Sequence, residues 1–298
     1  MEKSYIRLNG GFHNEVFYIP SIDKVVRISE KRKTKARIVQ EIEWMKYLKN
    51  NGVEVPSVDK VEDKTECLWT YFEFIKGTQL DVTKDSHWNG CTFEELGRIL
   101  GRMHALSKNF KVSAIERPVW TSETTDVFEI RHKLSPWLKG HYNNFMNNLL
   151  LYKKTVDTFG LIHNDFHQGN IIMDQNDSLV TIDFDECSFN WFAQDLAVVF
   201  YHAYWQNSSF NDNQDYFTQE FMTHFFNGYK SENFLHEDII KQIPIFLKLR
   251  EIFLYQLFIT KWDLNNLGNW QQYTLDNLND NIKGNKPYAG VSDFSIYV

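Results

Sequence analysis

The chain has 298 residues, 43% of them apolar and 16% aromatic, and a net charge of −7. That length suits two lobes around a sizeable core, and the acidic balance argues against nucleic acid as a partner. The first residues lack a basic-then-apolar leader, and the apolar region 243–259 is broken by Pro244, Lys248, Arg250 and Glu251, so neither a secretory signal nor a bilayer span is expected.

In chain order, residues 5–8 and 16–19 read as paired strands around a turn that holds Gly10, Gly11 and Asn14. Glycines in a strand–turn–strand setting let backbone amides approach a phosphate closely. Residues 24–28 form a third strand carrying Arg27, a cation able to grip phosphate in a two-pronged way. A basic loop leads into a helix over about 36–50, with Ile38, Ile42, Met45 and Leu48 on its apolar stripe. Glu41 lies on the flank of that stripe and can turn inward to pair with Arg27, whereas Glu43 points elsewhere. Residues 53–58 and 67–74 read as further strands. The second ends in a hinge, where the backbone of Glu73, Phe74 and Ile75 offers hydrogen bonds to an adenine edge.

Helices dominate afterwards. One spans Phe93 to Leu106, with Thr92 as its candidate N-cap. Residues 109–135 read as an irregular, lid-like insertion, and 137–159 as a helical region interrupted near Gly140. After the segment 163–170, residues 178–182 form an apolar strand. A helix opens at about Asn190 and runs to Trp205, and further helices are expected over 213–229, 236–263 and 268–282. Strands first and helices after them give an α+β class, divided into lobes at residues 1–75 and 76–298.

The chemistry concentrates in His163-Asn164-Asp165-Phe166-His167-Gln168-Gly169-Asn170 and in Ile182-Asp183-Phe184-Asp185. The spacing H-x-D-x-x-x-x-N followed by a strand ending in acid is the layout of a phosphoryl-transfer centre. Asp165 is the candidate catalytic carboxylate, aiming a hydroxyl whose proton needs an acceptor. Asn170 and Asp183 are the candidate magnesium ligands on a bound nucleotide. Asp185, one alternate residue along an extended segment, points the same way and is a candidate for a metal-bound water or the substrate. His163 and His167 are read as ordering the loop. Their i, i+4 spacing would serve a hydrolytic metal cluster only on a helix, and Gly169-Asn170 argues for a loop. Residues 155–229 contain eleven carboxylates and no Lys or Arg, which favours metal ions and a cationic substrate. The aromatics of the tail (Tyr201, Tyr204, Trp205, Trp262, Trp270, Tyr273) are either helix packing or a cage for an ammonium group. Cys67, Cys91 and Cys187 are widely spaced and odd in number, and so read as free thiols of a reducing, cytoplasmic compartment.

With these residues in hand, the chain resembles the aminoglycoside phosphotransferase and choline kinase family of protein-kinase-like small-molecule kinases. His163, Asp165 and Asn170 match the family's catalytic loop, Asp183 its second acidic motif, and Asp195-Leu196-Ala197 its later D-L-A. Gly10, Gly11 and Asn14 match its early G-G-x-x-N, and Arg27 its strand cation. The match runs in order over most of residues 5–205. Members often carry His-Gly-Asp-Leu-His-Pro-Gly-Asn, where this chain has Asn164, Phe166 and Gln168. The resemblance implies an antiparallel N-terminal sheet with one helix, a mainly helical C-terminal lobe, ATP and Mg2+ in the cleft between them, a loop-ordering role for Asp195, and a small hydroxyl-bearing acceptor. Two alternatives stand beside it: a protein Ser/Thr kinase of the family's stress-response branch, and a non-catalytic nucleotide-binding regulator. The few residues between Asp183 and Asp195 leave little room for a peptide platform, and no catalytic Asp or Asn is missing, so a small-molecule kinase is the reading preferred.

Overall fold

The computed structural model describes residues 5–8, 14–30, 34–120, 133–212 and 214–298. The N-terminal part is an antiparallel sheet of five strands: β1 (Ile6–Arg7), β2 (Glu15–Ile19), β3 (Lys24–Glu30), β4 (Val58–Asp63) and β5 (Cys67–Glu73), in the order β1-β2-β3-β5-β4. Arg27 is therefore on the central strand, paired with Val16 on one side and Thr70 on the other. Helix α1 (Lys35–Asn50) begins at Thr34, whose hydroxyl accepts from the Arg37 amide, and packs Ile38 and Ile42 against Leu68 of the sheet. The alternating run 53–58 is not a strand. Pro56 lacks an amide for a ladder, and Val53 and Val55 instead bury themselves in the main core. The strand starts only at Val58.

The rest is mainly helical. Helix α2 (Gly90–Ser107) starts two residues before the expected cap, because Asn89 accepts from the amides of Cys91 and Thr92. Helix α3 (Pro136–Leu149) passes through Gly140 without a break. The expected helix to 159 stops at Leu149, and Phe159–Ile162 is a strand instead, paired antiparallel with Ser188–Trp191. A short sheet joins β6 (Gly77–Gln79), β8 (Ile171–Asp174) and β9 (Leu179–Thr181), while β7 and β10 are the pair just named. Because β10 holds residues 188–191, helix α4 (Phe192–Phe210) opens two residues later than expected. Helices α5 (Gln214–Glu232), α6 (Glu237–Lys261) and α7 (Asn269–Lys283) complete the tail. Among the described residues no helix is long and apolar enough to cross a membrane.

The closest helix contact is α2 on α5. A Cβ on Gly97 would lie 2.0 Å from the Phe225 carbonyl oxygen, and one on Gly228 would lie 1.8 Å from that of Glu94. Glycine is what lets the two backbones touch. This pair forms the floor on which the catalytic loop and α4 rest, with Phe93, Phe217, Phe221 and Phe225 stacking between them.

Candidate active site

Two non-glycine residues in the left-handed backbone region set the site. Asn164, immediately before Asp165, has φ 72°, and Asp183 has φ 62°. Asn and Asp are the side chains that tolerate this conformation best, and such residues persist only where their surroundings fix them. For Asn164 the fixing is plain. Asp195, fully buried at the start of α4, accepts from the amides of His163 at 3.0 Å and Asn164 at 2.6 Å. Its Oδ2 also accepts from the Nε2 of buried His104, whose Nδ1 accepts from the Tyr229 hydroxyl. Burial lowers the His104 pKa against the pull of Asp195, so the ring is neutral there. His163 accepts the Asp165 amide at 3.3 Å and donates from Nε2 to the Ile182 carbonyl at 3.0 Å, linking the two acidic motifs.

Asp165 carries three kinds of contact. Asn170 donates to its backbone oxygen at 2.9 Å and approaches its Oδ2 at 3.4 Å. The Nε2 of His167 is 3.4 Å from the same Oδ2. A guanidinium nitrogen of Arg250 is 2.7 Å from Oδ1. Burial alone would raise this carboxyl, but Arg250 and then His167 more than offset it and hold it well below the ordinary carboxylate range. With its amide nitrogen turned to Asp165, Asn170 has its carbonyl oxygen left for a cation.

Asp183 behaves in the opposite way. Its side chain is accessible from the cleft, yet the protein around it withdraws enough hydration, with Asp185 adding repulsion, to push its carboxyl up to about 6 against the pull of Arg27. The extended geometry expected for 183–185 is absent. The left-handed Asp183 leads into a 3-10 turn at Phe184–Glu186, so Asp185 does not follow it along an extended segment and is buried. There it accepts from Asn14 at 2.7 Å and lies 3.6 Å from Arg27. Arg27 and Glu41 form a buried two-pronged pair at 2.8 and 2.9 Å, and Glu43 is exposed. Gly10 and Gly11 lie outside the described residues, as do 121–132 of the expected lid. In the hinge, the Glu73 amide donates to the Ser57 carbonyl at 2.9 Å, so an adenine edge there would meet the Glu73 carbonyl and the backbone of Phe74 and Ile75.

Three further residues bear on the site that the sequence reading did not single out. Arg117, inside the expected lid-like insertion, donates to the backbone oxygens of Asp185 and Cys187 and lies 3.7 Å from Glu41, tying the first part of that segment to both α1 and the acidic turn. Gln40 of α1 accepts from the amides of Glu116 and Arg117 and so fastens the same strap. Arg250 reaches Asp165 from α6. Its signal was present in the sequence as a cation interrupting an apolar run, a placement that demands a buried partner. The eleven carboxylates of the cation-free stretch do not form one free acidic face: Asp195 is committed to the loop, Asp157 to Lys108, and Asp165 to Arg250.

The tail aromatics divide. Tyr201 stacks on Tyr288 with ring centroids 4.3 Å apart, and Tyr204 packs against Phe200 and Tyr288, so these two belong to the packing between elements. Another series of rings runs outward from the catalytic loop: His167 on His202, His202 near Trp205, Trp205 near Phe258, Phe258 stacked on Trp262, and Trp262 edge-on to Trp270. Trp270 is exposed.

Asn170 and Asp183 offer one amide oxygen and one carboxylate facing the cleft. That set fits a magnesium-sized cation, which takes few protein ligands and completes its shell with phosphate and water.

Residues 4–231 match the phosphotransferase enzyme family. The amicoumacin kinase of Bacillus subtilis (strain 168) is 32% identical over 283 residues, covering 90% of this chain and 82% of that protein. Among solved structures, an amicoumacin kinase in complex with AMP-PNP, Ca2+ and amicoumacin superimposes with a TM-score of 0.87 at 25% identity, over 99% of this chain and 92% of that one. A microcompartment-associated aminopropanol kinase superimposes with a TM-score of 0.73 at 18% identity, over 97% and 94% of the two chains, a likeness of fold.

Proposed function

The chain belongs to the phosphotransferase enzyme family, and from that premise we propose that it transfers the γ-phosphate of ATP, with a divalent cation such as Mg2+, to a hydroxyl of a small amine-bearing metabolite or antibiotic. The observation that carries this reading is the meeting of Asp165, Asn170 and Asp183 at one cleft, with the Arg27–Glu41 pair behind them. In this reading residues 1–75 hold the nucleotide. The Gly10–Gly11 turn, Asn14 and Arg27 receive the phosphates, and the hinge backbone at Glu73, Phe74 and Ile75 receives the base. Residues 76–298 supply the catalytic loop and the acceptor site.

Asp165 orients the acceptor hydroxyl through Oδ2. As the new O–P bond forms and the bond from the γ-phosphorus to ADP breaks, the hydroxyl proton passes to that carboxylate and then to solvent. Because its basicity is held low, Asp165 aims the hydroxyl first and takes the proton late, in keeping with the loose transition state of phosphoryl transfer. Asn170 and Asp183 would hold the cation, which neutralises phosphate charge when bound. Arg250 puts a positive charge beside Asp165, so the amine of the acceptor lies away from the reacting hydroxyl. The outward series from His202 to Trp270 is a suitable wall for it, through cation–π contact or stacking. A small molecule suits the site better than a peptide, since a 3-10 turn and β10 take up the residues between Asp183 and Asp195. The unpaired Cys67, Cys91 and Cys187 support a cytoplasmic location.

The test is ATP turnover with a panel of amicoumacin, 1-amino-2-propanol, choline and aminoglycosides, reading the phosphorylated product by mass spectrometry. One acceptor class is expected to turn over, and Asp165→Ala is expected to lose about 10²–10⁴-fold. Equal turnover by Asp165→Ala and wild type would remove Asp165 from its role. Phosphoprotein in place of phosphometabolite from a cell lysate would overturn the acceptor class.

A further inference from the structure

Arg250 is 6% exposed, and its guanidinium is fixed by three separate elements. One nitrogen donates both to Asp165 Oδ1 and to Nε2 of His202 on α4, each at 2.7 Å. The guanidinium carbon sits 5.2 Å over the Phe253 ring on its own helix. His202 in turn stacks on His167 of the catalytic loop, with centroids 4.5 Å apart. A buried ion pair is weak evidence for stability, because desolvation offsets most of its attraction. Asp165 is moreover partly open to solvent, with a side chain 28% exposed.

The two oxygens of Asp165 are treated differently. Oδ1 has the short charged contact to Arg250. Among the described residues, Oδ2 has only the 3.4 Å approaches of Asn170 and His167. An aspartate free to turn about its side-chain torsions would offer either oxygen to a hydroxyl, in many orientations.

We propose that Arg250 is a positioning residue for phosphoryl transfer, clamping Asp165 by Oδ1 so that Oδ2 alone is presented to the acceptor hydroxyl. The role rests on the reading of Asp165 given above, and it assigns α6 a part in the reaction itself. His202 completes the clamp as an acceptor that holds the same guanidinium nitrogen at 2.7 Å. Lys in place of Arg250 would keep the charge, but it lacks the planar fork that fixes direction. Arg250→Lys is therefore expected to lie between wild type and Arg250→Ala.

The experiment measures kcat and KM for Arg250→Ala, Arg250→Lys and Asp165→Ala. The acceptor is either amicoumacin or water, the latter read as slow ATP hydrolysis. Each assay is repeated with millimolar methylguanidinium, and circular dichroism monitors folding. Misplacing a reacting group by about 1 Å costs about 10²-fold. Arg250→Ala is expected to lose kcat on that scale, with KM for ATP within about threefold. Methylguanidinium is expected to restore at least tenfold to Arg250→Ala and nothing to Asp165→Ala, a recovery that a merely structural role would not give. Folded Arg250→Ala with wild-type kcat, or with a loss that methylguanidinium leaves untouched, overturns the proposal. If Arg250→Ala does not fold, Arg250→Lys decides: about a tenfold loss in kcat at unchanged KM for ATP supports the clamp, and wild-type kcat overturns it. The hydrolysis arm separates this role from its premise. Hydrolysis lost in Asp165→Ala but intact in the Arg250 variants sinks the clamp alone. Hydrolysis intact in Asp165→Ala sinks the reading beneath it.

Discussion

At the scale of single residues, Asn164 shows how a departure from a family pattern acquires a cause. Relatives often carry Gly before the catalytic Asp, and here the position has φ 72°, where Gly costs nothing and Asn is among the side chains that cost least. The substitution leaves the loop conformation in place, because Asp195 holds the two adjoining amides. Asp183 shares the left-handed conformation but has no such freedom, since its carboxylate is the candidate ligand. Asp183→Asn is predicted to leave the fold intact and to weaken cation-dependent nucleotide binding. A nucleotide at 100 times its Kd stabilises a fold by about 2.7 kcal/mol. The wild type should therefore show a clear rise in Tm with MgATP that EDTA removes, and the variant little or none. An undiminished rise in Asp183→Asn would show that the cation is held elsewhere.

At the scale of elements, the α2–α5 contact and the buried histidines make separate predictions. A methyl at Gly228 meets the Glu94 carbonyl at 1.8 Å, where backbone stands opposed to backbone. Gly228→Ala must push the helices apart and should cost about 1–3 kcal/mol or more, measured by urea unfolding. Wild-type stability would mean that the helices are not held that close. The pH dependence follows from His104 and His163, both lowered by burial. Their folded pKa lies below the unfolded value of about 6.5, so their contribution is full above that pH and is lost as pH falls toward the folded value. Each adds a slope of up to about 1.4 kcal/mol per pH unit. Asp183, raised to about 6, works with the opposite sign over the same range, since its folded form takes up a proton before the unfolded one does. Burial likewise lowers His202 and raises Glu251, so three histidines stand against two carboxyls, Tm should fall between pH 7 and 5, and a flat profile would contradict the neutral state of the rings.

At the scale of the whole molecule, much of the architecture was legible in order. The α+β arrangement, the helix carrying Glu41, the tail helices and the resemblance to the phosphotransferase family all stand. The periodicity of Ile38, Ile42, Met45 and Leu48 carries a helix wherever it is placed, and loop spacings such as that from Asp165 to Asn170 survive because one turn contains them. What could not be read was pairing over distance. Val53 and Val55 alternate like a strand but bury themselves in the core, and β7 takes its partner from residues 188–191. Arg117 and Arg250 meet the site from positions 68 and 85 residues away from their partners. The stretch without cations reads as favouring metal ions and a cationic substrate, but cations from outside it answer Asp157 and Asp165.

The end of the family match carries a consequence for how such an enzyme changes its substrate. The match stops at residue 231, one short of the end of α5. Arg250, Phe258 and Trp262 all lie beyond that point, on α6 or just after it. In the function proposed above, the wall offered to the acceptor's amine lies partly on this tail, while the groups offered to the nucleotide lie before it. In that reading a change of acceptor falls on the tail first, and Asp165 still needs a group to hold it. A library confined to residues 233–298, with Arg250 kept, is the economical place to look for altered specificity.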